Sequence, residues 1–94
     1  MKLISITKSD RADKKYKALF EDSQHYKTVY FGAAGYTDYT MNKDPEKKRL
    51  YLLRHAKNEN WNDPTSAGAL SRWILWNKPT LKESITDFKK RFNL

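Results

Sequence analysis

The sequence has 94 residues, of which 38% are apolar and 32% are charged, and it contains no cysteine. This length fits one domain, 1–94, with a modest core, and the apolar content is too high for a disordered tail. The lack of cysteine excludes a disulfide framework and a thiolate metal site. The apolar run LISIT is too short for a signal peptide or a membrane span, so we expect an unsecreted protein with no membrane partner.

Three strands are predicted in the first third of the chain. Residues 2–8 and 15–21 are rich in Ile, Leu, Tyr and Phe, and a third apolar run, TVYF at 28–31, stops at Gly32. The polar segments SDRADK and EDSQHYK between these runs are predicted turns. Short connections favour an antiparallel meander, so residues 1–35 are predicted to form a three-stranded antiparallel sheet.

The first helix is marked by its start signal. The preceding segment, GAAGYTDYTMNK, is predicted to be irregular, with one helical turn around Tyr39. Asp44 is a favourable N-cap, Pro45 fits the first helical position, and Glu46 lies at the positive end of the helix dipole. These residues predict a helix over about 45–57.

Two further helices follow. Asp63-Pro64 repeats the start signal and predicts a middle helix that is apolar over a wide arc, and Thr80 with Glu83 forms a capping box that starts the last helix. The last helix carries one apolar stripe, made of Leu81, Ile85, Phe88 and Phe92. The predicted fold is therefore α+β, in the order βββααα, with the three helices in residues 44–94.

Positive charge is concentrated in two segments. Lys and Arg number 19 against 11 Asp and Glu, which gives a net charge of +8. Residues 1–20 carry six basic and two acidic side chains, and residues 46–58 carry five basic and one acidic. This distribution favours a polyanionic partner, with nucleic acid first, an acidic protein surface second and anionic lipid third.

The basic helix and the second strand form the candidate nucleic-acid-binding surface. Lys47, Arg54 and Lys57 are predicted to share one helix face, while Leu50 and Leu53 turn toward the core. Each Lys or Arg contact with a phosphate releases counterions and gives affinity that does not depend on sequence. The alternative is a solvated face that only confers solubility. The predicted contact residues are Lys14, Lys15, Lys17, Lys47, Lys48, Arg49, Arg54 and Lys57.

Tryptophans form a second candidate cluster. Trp61 lies in NENWND, and Trp73 and Trp76 lie in SRWILW; exposed aromatic rings interleaved with Lys and Arg would suit base stacking. Helical spacing predicts that Trp73 belongs to the core, whereas Trp76 at the helix end could line an interface. A protein interface is therefore the alternative use of the aromatic residues, with Tyr36, Tyr39, Trp61 and Trp76 as its anchors.

An enzyme is disfavoured by the sequence. Arg54-His55 with Asn58, Glu59 and Asn60 superficially resembles the His and Asn of small metal-dependent nucleases, but a single His does not supply convergent ligands and a general base. There is no Gly-rich phosphate-binding loop and no nucleophile elbow. We therefore predict no catalytic residue, no metal ligand and no cofactor.

Motifs along nearly the whole chain resemble those of one family. They are KKYKALFED, VYFGAAGYTDYTMNKDPEKKR, RHAKNENWNDP and PTSAGALSRWILWNKPTLKESITDFKKRFNL. With these motifs the chain is similar to small basic proteins encoded by large nucleocytoplasmic DNA viruses, including those of algae and amoebae. The loop EDSQHYK departs from the shorter Gly-containing hairpin of the relatives. The resemblance implies a fold and a viral context, and it brings no catalytic residue.

Composition and resemblance together predict a non-catalytic viral binding module. Its leading role is sequence-nonspecific binding of DNA or other nucleic acid, as a genome-associated protein of the virion or of the infected cell interior, cytoplasm or nucleus. The alternative role is a minor capsid or virion structural protein that acts through protein–protein contacts.

Overall fold

The computed structural model describes residues 1–94 and contains three antiparallel strands followed by helices. The strands are β1 (Lys2–Lys8), β2 (Lys14–Asp22) and β3 (His25–Ala33), and they lie in the order β1-β2-β3. Each strand pairs antiparallel with the next one along the chain. The prediction of an α+β fold with a three-stranded antiparallel meander is confirmed.

The hairpin between β2 and β3 is tighter than predicted. Only Ser23 and Gln24 form the turn, and Asp22 pairs directly with His25. Both turn residues have positive φ, 47° and 74°, which matches the twist of a two-residue hairpin. Most of EDSQHYK is therefore strand, and its polarity reflects the exposure of this end of the sheet rather than a long turn.

The helical region begins with α1 (Tyr39–Asn42) and α2 (Pro45–His55). Asp44 caps α2 because its side chain accepts hydrogen bonds from the backbone N–H groups of Glu46 and Lys47. The predicted start of this helix at Asp44-Pro45 is confirmed, and so is the single helical turn around Tyr39.

The remaining helices are α3 (Ala67–Leu70), which runs without a break into a π-helical turn (Ser71–Leu75), and α4 (Leu81–Phe92). In the π-helical turn the backbone N–H of Trp76 donates to the carbonyl of Ser71 at 3.0 Å. At the start of α4, Thr80 Oγ1 accepts from the backbone N–H of Glu83 at 3.2 Å and donates to the Glu83 carboxylate. The predicted N-cap at Thr80 is confirmed, but the reciprocal half of the capping box is not formed, because the Glu83 carboxylate accepts from the Thr80 hydroxyl rather than from its backbone N–H.

The predicted start of the middle helix at Asp63-Pro64 is wrong. Asp63 Oδ1 accepts from the backbone N–H of Thr65, and the backbone N–H of Ser66 donates to the carbonyl of Asp63. Pro64 thus occupies the second position of a β-turn, which its fixed φ suits equally well. The helix is capped instead by Ser66, whose hydroxyl accepts from the backbone N–H of Ala69 at 3.1 Å.

The core lies between one face of the sheet and the layer made by α3, the π-helical turn and α4. Alternate residues of β2 supply Ala18 and Phe20 to this core, and Phe88 comes from α4. The predicted apolar stripe of α4 is confirmed, since Phe88 is fully buried and the other members pack against the core. The buried cluster comprises Leu3, Ala18, Phe20, Phe31, Leu70, Ile74, Leu75 and Phe88.

Helix α2 packs differently, because Tyr51 is its only buried residue. The prediction that Leu50 and Leu53 turn toward the core is wrong, as they are 40% and 60% exposed. The helix is rotated so that the Tyr51 ring stacks between His55 and Trp76. One large aromatic ring holds α2 against the π-helical turn, and space remains between the helix and the sheet.

Candidate anion-binding cavity

The space beside α2 forms a cavity of about 590 Å³. This volume lies within the range of about 300–1,000 Å³ that is common for small-molecule sites. Its walls come from one end of β2 and β3, from the segment that leads into α1, from one face of α2, and from α3 with the π-helical turn. The cavity is therefore built by residues far apart in the sequence.

Four cationic side chains line the cavity: Lys14 and Lys15 from β2, and Lys47 and Arg54 from α2. Lys15 is neutralised, because its Nζ lies 2.6 Å from Oδ2 of Asp38, a carboxylate that is only 2% exposed. No acidic side chain lies within 4.0 Å of the cationic groups of Lys14, Lys47 or Arg54. Three of the four cations that line the cavity therefore have no ion-pair partner.

A second carboxylate, that of Glu59, is held by two donors at the cavity wall. His55 Nδ1 lies 2.9 Å from one oxygen of Glu59, and the indole Nε1 of Trp61 donates to the other at 2.9 Å. The Glu59 side chain lies over Gly68, where any added Cβ would come within 3.1 Å of it. Both oxygens of Glu59 are thus engaged, and the His55 ring is fixed in orientation.

Three aromatic rings form a stacked column in the same wall. Trp76 lies 4.5 Å from Tyr51 with an angle of 7° between their planes, and Tyr51 lies 4.1 Å from His55 with an angle of 23°. Burial raises the pKa of Tyr51 far above its usual value, so the phenol stays neutral. The three rings form an aromatic wall in which both faces of Tyr51 are covered, so only the outer faces of Trp76 and His55 remain for a ligand.

The other four predicted contact residues do not line the cavity. Lys17 Nζ lies 3.7 Å from Asp10, and Arg49 pairs with Glu46 on the exposed side of α2. Lys57 is exposed just beyond the end of α2 and makes no ion pair.

Lys48 is a structural residue in this fold. Its Nζ donates to the carbonyl of Asn77 at 2.7 Å and lies 4.9 Å from the centre of the Tyr39 ring. Burial lowers the pKa of Lys48, and the nearby charges of Arg72 and Lys78 lower it further. Lys48 therefore joins α1 and α2 to the chain that follows the π-helical turn.

The four predicted interface aromatics also fall into two groups, those that line the cavity and those that make internal contacts. Tyr36, which is 72% exposed, lies at the cavity together with Trp76. Tyr39 is half-buried beneath Lys48, and Trp61 is half-buried with its indole bonded to Glu59. Two of the four residues therefore line the cavity, and the other two make internal contacts.

Several residues of the cavity were not identified from the sequence as site residues. They include Tyr51, which joins the aromatic column, and Asp38, which holds Lys15. The spacing of four residues between Tyr51 and His55 was a usable signal, because residues four apart on a helix lie on one face, whereas Glu59 lies beyond the end of α2. Contacts such as Lys15 with Asp38 span 23 residues and left no local signal.

No group of three or more His, Asp or Glu side chains lies close enough together to hold a metal ion. None of the helices combines the length and the apolar character that a bilayer span requires.

Fold and cavity together define a small α+β protein with an electropositive cavity beside its basic helix. Residues 4–55, just over half of the chain, match a protein family described as a family of unknown function (DUF5754), and the chain belongs to this family. The matched region spans β1 to the end of α2 and includes all four cations of the cavity. Comparison with curated proteins gives no match, and comparison with solved structures gives none either.

Proposed function

We propose that this protein is a non-catalytic binding module for nucleic acid, which contacts phosphates rather than reading base sequence. The observation that carries the proposal is the convergence of Lys14, Lys47 and Arg54 on one cavity with no acidic partner. Like charges held close together repel each other, and a polyanion relieves that repulsion while releasing its own counterions.

Lys57 extends this positive surface along α2. It is exposed, it makes no ion pair, and it follows Arg54 by three residues, about one helical turn. The binding surface that we propose therefore consists of Lys14, Lys47, Arg54 and Lys57. Lys15, Lys17, Lys48 and Arg49 are left out because each has an intramolecular partner.

The biological setting is part of the same proposal. The resemblance to small basic proteins of large DNA viruses and the net charge of +8 support a genome-associated viral protein. Such a protein would act inside the virion or inside the infected cell, in the cytoplasm or nucleus.

The salt dependence of duplex DNA binding tests the proposed function. Log affinity should fall linearly with log salt concentration, and replacing Lys47, Arg54 and Lys57 together by Gln should flatten the slope by about 2–3 units. The melting temperature should stay near that of the parent, since solvated charges contribute little to folding. Scrambling the DNA sequence should have little effect. Failure of the parent protein to retain DNA or RNA at about 50 mM salt would overturn the proposal.

We assign His55 and Glu59 a role in shaping the cavity wall rather than in proton transfer. The imidazole is stacked on Tyr51 and bonded to Glu59, so its orientation is determined by the fold. Incubation with bis(p-nitrophenyl) phosphate and magnesium, manganese or zinc should release no nitrophenol. Release that His55→Ala abolishes would contradict the non-catalytic assignment.

The alternative role, a minor capsid or virion structural protein, is supported by a different observation. Tyr36, Met41 and Leu53 are 72%, 61% and 60% exposed. Single exposed apolar side chains are ordinary, so this role requires that these three belong to one continuous patch that a partner protein covers. This role predicts weak DNA binding at low salt and loss of incorporation into particles when Tyr36 and Leu53 are replaced by Ser.

A further inference from the structure

The shape of the cavity restricts what can reach its aromatic wall. Lys47 and Arg54 are exposed residues and could contact the backbone of any nucleic acid, whereas Trp76 and His55, the end rings of the aromatic wall, are only partly exposed. In a continuous duplex the bases are paired and stacked inside the helix, so they cannot enter a recess on a protein surface. A base that is unpaired, or a free nucleotide, has no such restriction.

The aromatic wall suits a nucleobase. The column ends in the half-buried rings of Trp76 and His55, which both line the cavity, so a base would stack on the outer face of one of these two rings. Every base has a flat π-face, so stacking on protein aromatics tolerates any sequence. Leu50 and Leu75 supply apolar surface to the same walls. The mixture of aromatic and aliphatic groups is typical of pockets that enclose a ring system.

The polar groups of the cavity suit a phosphate. Lys14 comes from β2, while Lys47 and Arg54 come from α2, so the three free cations line it from two different elements. The two carboxylates of the cavity already accept hydrogen bonds. Asp38 accepts from Lys15 and from Thr40, and Glu59 is held by His55 and Trp61. Lys15 offsets the charge of Asp38, whereas Glu59 keeps its charge. Four cations against two carboxylates leave the lining a formal charge of +2 with His55 neutral, so the net field favours an anion.

We propose that the cavity holds a single unstacked nucleotide, with its base on the aromatic wall and its phosphate near Lys14, Lys47 and Arg54. This inference rests on the proposed function and narrows it, because the protein then prefers single-stranded nucleic acid to a continuous duplex. The nucleotide belongs either to a single strand or to a free nucleoside monophosphate, since both present the same chemistry to the cavity.

Leu50 and Leu53 provide a matched pair of variants. Both are exposed on α2, and only Leu50 lines the cavity. Leu50→Glu and Leu53→Glu change the net charge equally, and each places Glu four residues before a basic residue of the helix, or of the turn that follows it. A difference between the variants therefore reports on the cavity and not on overall charge. Circular dichroism and thermal melts establish that both variants fold.

The experiment measures binding of three probes by fluorescence anisotropy and by indole N–H shifts in NMR spectra. The probes are a single-stranded ten-nucleotide deoxyadenylate, a ten-base-pair duplex hairpin and deoxyadenosine monophosphate, with inorganic phosphate as a control. The single strand should bind at least about tenfold more tightly than the duplex, since stacking of one base gives about a tenfold gain or more. It should also shift the Trp76 indole signal. Leu50→Glu should weaken single-strand binding at least about tenfold, and Leu53→Glu about threefold or less.

Each outcome has a definite meaning. A shift of the Trp76 indole N–H signal with deoxyadenosine monophosphate, and no shift with inorganic phosphate, supports the nucleotide pocket. If the single strand then binds no more tightly than the monophosphate, the ligand is the free nucleotide. Equal affinity for single strand and duplex, with equal effects of the two Glu variants, overturns the nucleotide pocket while nucleic-acid binding survives. Absence of binding to every nucleic acid at about 50 mM salt overturns the proposed function itself.

Discussion

Helices α2 and α4 are similar in length and capping but differ in the spacing of their apolar residues and in what lies beneath them. Each has 11 or 12 residues, a side-chain N-cap and several basic residues. Helix α4 has a single apolar stripe and places Phe88 in the core cluster, whereas α2 buries only Tyr51 and leaves Leu50 and Leu53 exposed. Similar caps and charges thus accompany one helix that completes the core and one that forms the wall of a cavity.

The basic residues of the two helices differ accordingly. Lys89, Lys90 and Arg91 lie in the last turn of α4, where positive charge stabilises the helix dipole, and Arg91 also lies 3.8 Å from the centre of the Trp73 ring. Lys47 and Arg54 of α2 instead border an open cavity without acidic partners. Net charge alone does not locate a binding surface, because the geometry beneath each helix decides which charges remain available.

The two helices should differ most clearly in how far truncation of a side chain lowers the free energy of unfolding. Phe88→Ala should lower the free energy of unfolding by about 3–5 kcal/mol, because it removes a fully buried side chain and leaves a cavity. The matched change Leu53→Ala, at a residue 60% exposed, should cost less than about 1 kcal/mol. Urea melts measure both values. If Phe88→Ala melted like the parent, the assignment of α4 to the core would be wrong.

Gly32 lies where the cavity meets the core, and its replacement should have the next largest effect. Its φ is +80°, and an added Cβ would lie 2.8 Å from Cδ1 of Leu75, so Gly32→Ala should cost about 1–3 kcal/mol. Gly35 has a φ of +87° but open space around it. Gly35→Ala should therefore cost less, through backbone strain alone. Equal losses in thermal melts would show that the contact with Leu75 is unimportant.

Loss of an N-cap should affect the two helices in different ways. Thr80→Ala should lower the global free energy of unfolding by about 1 kcal/mol, because α4 unfolds together with the core. Asp44→Ala removes a comparable cap from α2, which buries one residue. Its main effect should be faster amide hydrogen exchange within α2, with a smaller change in global stability. Uniform exchange across both helices would contradict this difference.

The charge of Asp87 in α4 should make the stability of the fold depend slightly on pH in the acidic range. Partial burial acts to raise the pKa of Asp87, but the hydrogen bond from Asn77 and the charge of Arg91 outweigh it, so the pKa is lowered. Because the pKa of Asp87 is lower in the folded protein than in the unfolded chain, its charge stabilises the fold at pH values above the unfolded pKa, which is about 4. This stabilisation is lost as the pH falls through the folded pKa. Asp87→Asn should therefore cost about 1 kcal/mol or less at pH 7 and close to nothing at pH 2. An equal loss at both pH values would rule out this role for the Asp87 charge.

The parts of the fold that local chemistry determines were predictable from the sequence. The strands, the Asp44-Pro45 start of α2 and the Thr80 N-cap all follow from neighbouring residues. The prediction of a helix start at Asp63-Pro64 was wrong because the same dipeptide suits both a β-turn and a helix start. The orientation of Leu50 and Leu53 could not be deduced, since Tyr51 between them is also apolar and only its stacking on Trp76 sets the rotation of the helix.

The candidate site was predictable only in its charges. Lys14, Lys15, Lys47 and Arg54 were expected to act together, and all four line one cavity. Which of them are free could not be deduced, because the partner of Lys15 is Asp38, 23 residues away. The cavity itself depends on how α2 is held away from the sheet, and that depends on tertiary packing.

The most direct test compares two pairs of exposed cations on the two helices. Lys47 and Arg54 of α2 are replaced by Gln in one variant, and Lys89 and Lys90 of α4 in the other, so the net charge changes equally. For single-stranded DNA, the slope of log affinity against log salt should flatten by about 1.4 units in the α2 variant, since about 0.7 is lost per phosphate contact. The α4 variant should keep nearly the parent slope and affinity. Equal flattening in both variants would show that binding follows net charge, and would contradict the assignment of binding to the cavity side of α2.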